Sequence, residues 1–321
     1  MRTFLACLLL CLASSSAGAD QVTTYFSLHD LGHGAWAAIE MPGSHAGGNA
    51  GFVVGDDGVL VVDDFGLEAA SEVFLATIRK VTDKPIRYVV NTHYHIDHAT
   101  GNGLFAQQGA TIVGQRNVRA WIRSENHRII LPPATTDEMR AIADAVPPSL
   151  VYEDGMEIYL GTKRVILRVM PGHTGSDTVV IVPDAKVVYT GDLYWDHSLP
   201  NLVDADTRQQ MVTLETLAHD YPDAAFVPGH GKFVPEPELG QWDMAHAADL
   251  LSLRAYLGDL RAGVAGALKE GKSGQALQDE VLPKLKQQYG GLFGFDFFAA
   301  KNIAQTEAEL TGKKDLPKPA P

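Results

Sequence analysis

Cysteine is nearly missing from the 321 residues: the two present, Cys7 and Cys11, both fall within the first eleven positions. Once the amino-terminal leader described below is removed, no disulfide can form and no thiolate can bind a metal. Any metal site must then be built from nitrogen and oxygen ligands. Long apolar runs are missing too, since none approaches the roughly 20 residues that a membrane-spanning helix needs. Positive charge is scarce: 26 Lys and Arg stand against 39 Asp and Glu, a formal net charge of −13. Loss of Arg2 with the leader leaves 25 against 39, or −14. That sign is poorly matched to nucleic acid or anionic membranes, and solubility is the simpler reading of it. What remains, 45% hydrophobic and 20% charged, suits a globular chain with a large buried core.

The leader has three parts. Arg2 supplies a positive start, residues 4–12 form a short apolar run, and Ala17-Gly18-Ala19 is a small-residue cleavage site before Asp20. This layout predicts a signal peptide cut after Ala19 and an exported protein, periplasmic or extracellular. A buried amino-terminal helix is the alternative. A lipoprotein site is disfavoured, because Cys11 follows three leucines and Cys7 leaves almost no apolar segment ahead of it.

Residues 35–40, 51–54 and 59–63 are short β-favouring runs separated by Gly/Asp turns, a predicted meander. Over 67–81, apolar residues recur every three or four positions, which predicts a helix. Residues 86–90 then form a compact apolar strand leading into a histidine-rich loop, with a helix expected near Gly103. A strand over 110–113 and a helix over 117–125 repeat the alternation. Residues 127–150 break it: Pro132-Pro133 and Pro147-Pro148 bracket a short helix whose Thr135 and Glu138 have capping-box spacing. Strands follow at 156–160, 164–170, 178–182 and 186–189, then a helix at 208–219 and a strand at 225–227. Two β-rich halves with accompanying helices imply packed sheets covered by helices, an α/β (α+β) class. The expected organisation is a main domain over 20–240, a helical carboxy-terminal extension over 241–312 and a disordered Pro/Lys tail over 313–321.

Chemistry concentrates after the apolar strand, in Thr92-His93-Tyr94-His95-Ile96-Asp97-His98. Extended backbone turns His93 and His95 to the same side, where two imidazoles can chelate one ion. Asp97 and His98 face elsewhere as the chain turns, and can hold a second. Imidazole and carboxylate ligands suit zinc, iron or manganese. Pro171-Gly172-His173-Thr174, Thr190-Gly191-Asp192 and Pro228-Gly229-His230-Gly231 each place a ligand-capable residue beside glycine at a strand end, where backbone can approach closely.

His93-x-His95-x-Asp97-His98 followed by His173, Asp192 and His230 closely resembles the metallo-β-lactamase superfamily, over roughly residues 30–235. The resemblance implies an αββα sandwich with two Zn2+ at one edge. His93, His95 and His173 would hold the first, Asp97, His98 and His230 the second, with Asp192 bridging both. Asp64, at a strand end, matches an early acidic position that would orient a ligand histidine; its neighbour Asp63 competes for that role. The expected nucleophile is a hydroxide bridging the cations, since coordination can bring a water pKa from 15.7 to about 7. Asp97 would help orient it or deliver a proton.

The expected substrate is a small molecule with a carbonyl: ester, thioester, lactone, amide or β-lactam. Asp192 stands where zinc β-lactamases with a cysteine ligand differ, and Leu193-Tyr194-Trp195 lacks the lysine those enzymes commonly place there. The bridging aspartate is similar instead to glyoxalase II-like enzymes, lactonases and exported bacterial zinc hydrolases. An iron oxidoreductase resembling persulfide dioxygenases, and a non-catalytic accessory protein on the same scaffold, are the alternatives. Tyr194, Trp195 and His197 are pocket candidates, and Phe293, Phe295, Phe297 and Phe298 either roof the pocket or pack in the core. His29, His33, His45, His127, His219 and His246 lack motif support, though His33 and His45 flank a hairpin that could overhang the metals.

Overall fold

The computed structural model describes residues 21–130, 135–231 and 244–320; the leader with its Ala19 cleavage site, and Pro132-Pro133, lie outside the described residues. The first sheet opens as an antiparallel meander of β1 (Gln21–Val22), β2 (Phe26–Asp30), β3 (Ala35–Glu40), β4 (Ala50–Val54) and β5 (Val59–Val62), in a register that pairs Trp36 with Phe52 and Phe52 with Val61. It continues in parallel. α1 (Glu68–Val81) leads to β6 (Ile86–Asn91), and α2 (Asn102–Gln107) to β7 (Thr111–Gln115). Then α3 (Arg116–Trp121) and α4 (Thr136–Asp144) precede β8 (Leu150–Tyr152).

The second sheet holds β9 (Gly155–Leu160), β10 (Lys163–Val169), β11 (Thr178–Val182) and β12 (Val187–Asp196), all antiparallel. After α5 (Thr207–Asp220), β13 (Ala225–Gly231) joins it parallel to β12. The carboxy-terminal region is helical: α6 (Ala247–Lys269), α7 (Gly274–Tyr289) and α8 (Phe295–Leu310).

Strand alternation builds three apolar layers. Val53, Leu60, Val62 and Val90 of the first sheet meet Leu160, Leu167, Val180 and Val182 of the second. Phe52, Val61 and Ile112 turn outward under Phe74 and Ile78 of α1 and Phe105 of α2. Val179, Val188 and Phe226 turn the other way, under Leu214 and Leu217 of α5 and Leu250, Leu257 and Leu260 of α6. Each such side chain contributes roughly 1.5–3 kcal/mol when withdrawn from water. The result is the expected αββα sandwich, with α6 to α8 extending one helical face.

The structure departs from the sequence reading at several places. β2 and β8 are strands where none was expected, and α3 stops at Trp121 rather than 125. β12 is the most consequential difference. Instead of ending at Tyr189, it runs on to Asp196 through register shifts around Gly191, whose φ is +51°. An added Cβ there would lie 2.5 Å from Thr92 Oγ1, so glycine lets the bulged strand press against the histidine loop. The short helix of the insertion is α4, and its capping box is formed: Glu138 N donates to Thr135 Oγ1 at 3.1 Å and Thr135 N to Glu138 Oε2 at 2.7 Å.

The tail expected to be disordered is instead pinned across the molecule. The Lys314 ammonium donates to Leu202 O at 2.7 Å and also to Ala205 O; Arg128 donates to Asp315 O at 2.9 Å. Trp121 Nε1 donates to Lys318 O at 2.8 Å, and Ala320 N to Asn117 Oδ1 at 2.9 Å. Composition alone marks such a segment as unable to form a core of its own. It is held because its donors and carbonyls find hydrogen-bond partners far away in the chain.

Candidate metal centre

Loops at one edge of both sheets converge on the histidine motif. The loop after β6 delivers Thr92 to His98, the turn between β10 and β11 delivers His173, the bulge within β12 delivers Asp192, and the end of β13 delivers His230. Three hydrogen bonds lock the sheets together there: backbone Thr178 N to Thr92 O at 2.8 Å and Asn49 N to Gly229 O at 2.7 Å, and the Asn49 side-chain Nδ2 to Pro228 O at 3.0 Å. His173 is held by Asp177, whose Oδ2 accepts from the backbone N–H of Gly172, His173 and Thr174 at 2.8–2.9 Å.

Seven residues form two ligand groups, His93, His95, His173 and Asp192 in one, Asp97, His98 and His230 in the other. Within each group the ligand atoms lie within 4.8 Å of one another. In the first, His95 Nδ1 is 3.2 Å from His173 Nε2, and His173 Nε2 is 3.3 Å from Asp192 Oδ2. In the second, His98 Nε2 is 3.2 Å from His230 Nε2, which is 3.3 Å from Asp97 Oδ2. Nitrogen ligands about 2.0–2.1 Å from one tetrahedral zinc stand about 3.3 Å apart, so these spacings fit a cation between the ligands. Asp192 belongs to both groups by distance: its Oδ1 is 3.0 Å from His98 Nε2, and its Oδ2 is 3.3 Å from His230 Nε2. His93 Nε2 is buried with no hydrogen-bond partner, as a ligand atom facing a cation would be.

The electrostatics divide the cluster. Burial, helped by neighbouring His98, holds His93 well below the ordinary imidazole value, and burial pushes His173 down to about 3 against the pull of Asp192. Burial also opposes the charging of His98 and His230, but Asp192 and Asp97 overcome it: His98 is raised well above its ordinary value and His230 to about 10. Burial works to raise the Asp192 carboxyl, and the surrounding His230, His98, His173 and His93 hold it well below the usual range. A ring of imidazoles around one carboxylate is thus a preformed cation site.

Outer carboxylates choose the histidine tautomers, and here the structure corrects Asp64. Asp63 Oδ2, not Asp64, faces a ligand: it lies 3.1 Å from His98 Nδ1 and accepts from Thr92 Oγ1 at 2.7 Å. Asp64 turns away, its Oδ1 accepting from Gly101 N at 2.8 Å ahead of α2. Two adjacent residues at a strand end point to opposite sides, and periodicity does not say which faces the site. Asp204 had no sequence signal beyond lying near the start of α5, where Asp206 is the actual N-cap. Its Oδ2 lies 3.2 Å from His95 Nε2 and accepts from the Tyr94 hydroxyl, leaving His95 Nδ1 for a cation. Asp204→Ala is therefore expected to weaken metal binding about 10- to 100-fold, measured by competition with a chromophoric chelator. An affinity equal to wild type would remove Asp204 from that role.

A cavity of about 500 Å³ opens over the two groups, lined by Asp97, Asp192, Trp195, Arg128, Phe297, Phe298 and Lys301 among others. Of the three pocket candidates only Trp195 lines it, its ring centroid 4.2 Å from that of His230. Tyr194 and His197 line a smaller separate hollow and both bond Asp196, Tyr194 Oη at 2.5 Å and His197 Nδ1 at 2.7 Å. The bulge after Gly191 sends Tyr194 to the helical side of the sheet, against the core beneath α5 and α6. Phe297 and Phe298 roof the cavity, whereas Phe295 is core and Phe293 is exposed at the surface. Among the described residues, neither His33 nor His45 lines it.

The metallo-beta-lactamase superfamily model matches residues 45–230, more than half of the chain and all seven ligand positions. The chain belongs to the metallo-beta-lactamase superfamily. Within the superfamily it is 28% identical over 144 residues to a hydroxyacylglutathione hydrolase of Brucella anthropi, covering 44% of this chain and 46% of that protein. It is 30% identical over 120 residues to the acyl-coenzyme A thioesterase MBLAC2 of Bos taurus, covering 34% and 42%. These matches span less than half the length of either relative. Among solved structures, a metallo-beta-lactamase from Pontibacter korlensis superposes with TM-score 0.58 at 19% identity, over 73% of this chain and 99% of that one. The DIM-1 metallo-beta-lactamase gives 0.56 at 15%, over 73% and 97%. These two establish the superfamily fold, and the relatives found by sequence are hydrolases.

Proposed function

We propose that this protein is an exported dinuclear zinc hydrolase of carbonyl substrates, with thioesters and activated esters ahead of β-lactams. The observation that carries the reading is the Asp192 carboxylate, within 3.0–3.3 Å of ligand nitrogens in both groups. His93, His95 and His173 would hold one cation, Asp97, His98 and His230 the other, with Asp192 shared. A bound pair of divalent cations supplies Lewis acidity toward a carbonyl oxygen and a water-derived nucleophile at neutral pH.

The chain's own groups supply the rest. Asp63 and Asp204 hold His98 and His95 in the tautomers that leave Nε2 and Nδ1, respectively, as acceptors. Asp97 Oδ2, 3.3 Å from His230 Nε2, would face the second cation, while its Oδ1, buried without a hydrogen-bond partner, would take the proton lost by water and pass it to the leaving group. Trp195 and Phe298 exclude water from one wall, their rings edge to face at 5.7 Å. Thioesters are preferred because both named relatives cleave them, and because Leu193-Tyr194-Trp195 offers no lysine after Asp192.

Metal stoichiometry together with a hydrolysis panel of thioesters, esters, lactones, β-lactams and phosphoesters tests this. One iron per chain with oxygen uptake, or two metals with every carbonyl substrate intact, would overturn it. Export is tested on the protein secreted by its own host, whose amino-terminal residue by mass spectrometry is expected to be Asp20.

A further expected result concerns protons. Without metal, Asp192 and Asp97 favour the protonated imidazole against the effect of burial, raising His98 well above its ordinary value and His230 to about 10. Loading at pH 7.5 should therefore release at least one proton per chain. Calorimetry in buffers of different ionisation enthalpy measures that number, and no release would contradict the charge assignment.

A further inference from the structure

The cavity wall beyond the ligands has an unexpected charge. This chain has 39 acidic residues against 26 basic, yet among the described residues the lining outside the ligand set carries two cations, Arg128 and Lys301, and no carboxylate. Arg128 is already engaged, with Glu125 at 3.3 Å, Asp204 at 3.5 Å and Asp315 at 3.3 Å. Lys301 has no carboxylate partner among the described residues; its Nζ rests 3.6 Å from the centre of the Phe297 ring and 5.9 Å from that of Phe298. Phe297, Lys301 and Gln305 follow at intervals of four on α8, so one helix face presents aromatic wall, cation and amide to the cavity. The aromatic contact keeps the ammonium at the rim, and its charge is free to meet an incoming anion.

The geometry points to an acyl substrate with an apolar body and one anionic group, the body lying against Trp195, Phe297 and Phe298 and the anion on Lys301. This rests on the hydrolase reading of the metal centre. An ammonium at the mouth of a cavity whose other charges belong to the metal site or are paired orients such a substrate with its carbonyl inward. It also selects against cationic and uncharged acyl compounds of the same size. The shared chemistry is a carboxylate, carried either by the acyl part or by the leaving thiol. Lys301 is thus a specificity-determining residue supplied by the carboxy-terminal helices, outside residues 45–230.

Three thioesters separate the possibilities in the zinc-loaded full chain: phenylacetyl-N-acetylcysteamine, which is uncharged; its para-carboxyphenylacetyl counterpart; and phenylacetyl-glutathione. Lys301→Met is expected to lower kcat/KM about tenfold more on whichever carboxylate-bearing substrate uses the anchor than on the uncharged one. The loss should lie mainly in KM, and Lys301→Arg should recover most of it. Lys269→Met, on the exposed last turn of α6, is the control and should match the wild type. Equal losses on all three substrates, or none, would overturn the anchor. Should the wild type cleave none of them, the thioester preference of the proposed hydrolase fails separately. Calorimetric binding of phenylsuccinate and 3-phenylpropionate then decides the anchor alone: Lys301→Met must weaken the dicarboxylate several-fold more than the monocarboxylate, and an equal effect refutes it.

Discussion

Asp192→Ala is expected to lower kcat/KM by at least about a thousandfold and to leave the purified protein with one metal ion per chain or fewer. Loss of an outer orienting partner typically costs 10- to 100-fold, and a shared ligand should cost more, because both cation positions lose a donor at once. The carboxylate is also the counter-charge for the cluster: its oxygens lie 3.0–3.8 Å from nitrogens of His98, His173, His230 and His93. Asp192→Asn keeps the shape and removes the charge, and is expected to lose metal as well. In that variant His98 and His230 lose the group that raises them most, so metal-free protein should titrate these imidazoles at lower pH, visible by NMR. Elemental analysis and steady-state hydrolysis on the same preparation make the check. Wild-type turnover in the alanine variant would remove Asp192 from the shared position.

Gly229→Ala is expected to be nearly as damaging, although glycine has no side chain to coordinate anything. A Cβ at position 229 would lie 2.0 Å from Asp192 Oδ1, 2.6 Å from Gly191 C and 2.7 Å from Asp192 N. Two of those three atoms belong to the backbone of β12, so the methyl can be accommodated only by pushing that strand and its carboxylate off the ligand positions. Activity and metal content should fall together, by about a hundredfold or more in kcat/KM, since displacements near 1 Å at a reacting centre cost on this order. Gly266→Ala on α6, where an added Cβ meets nothing within 4 Å, is the matching control and should behave as wild type. A fully active Gly229→Ala enzyme with two metals would show that the approach of β13 to β12 is not what places Asp192.

Both variants probe the same design: two sheets brought together so that ligands 137 positions apart in sequence, from His93 to His230, face one cluster. The sandwich core holds the sheets, and Asn49 with Thr178 closes their shared edge. The same arrangement explains why the carboxy-terminal helices matter to a site whose ligands all precede residue 231. α8 brings Phe297, Phe298 and Lys301 to the cavity, and Asn302 on that helix donates to Pro200 O at 2.9 Å, in the loop that carries Asp204.

Periodicity and ligand chemistry by themselves marked packed sheets covered by helices, most helices and strands, and the seven ligand-capable residues now found in two groups, while the αββα order was what the family resemblance implied. Those signals are local: alternation along a strand, apolar spacing along a helix, and four metal-competent side chains within six positions. Only the tertiary structure decided what depends on side-chain direction or on partners far away in the chain. It chose Asp63 over Asp64, because neighbouring residues point to opposite faces and only packing says which face meets His98. It carried β12 through a bulge at Gly191, which turned Trp195 toward the ligand cluster and Tyr194 into the core. It ordered the Pro/Lys tail and brought Asp204 and Lys301 to the site through contacts whose partners no local pattern marks.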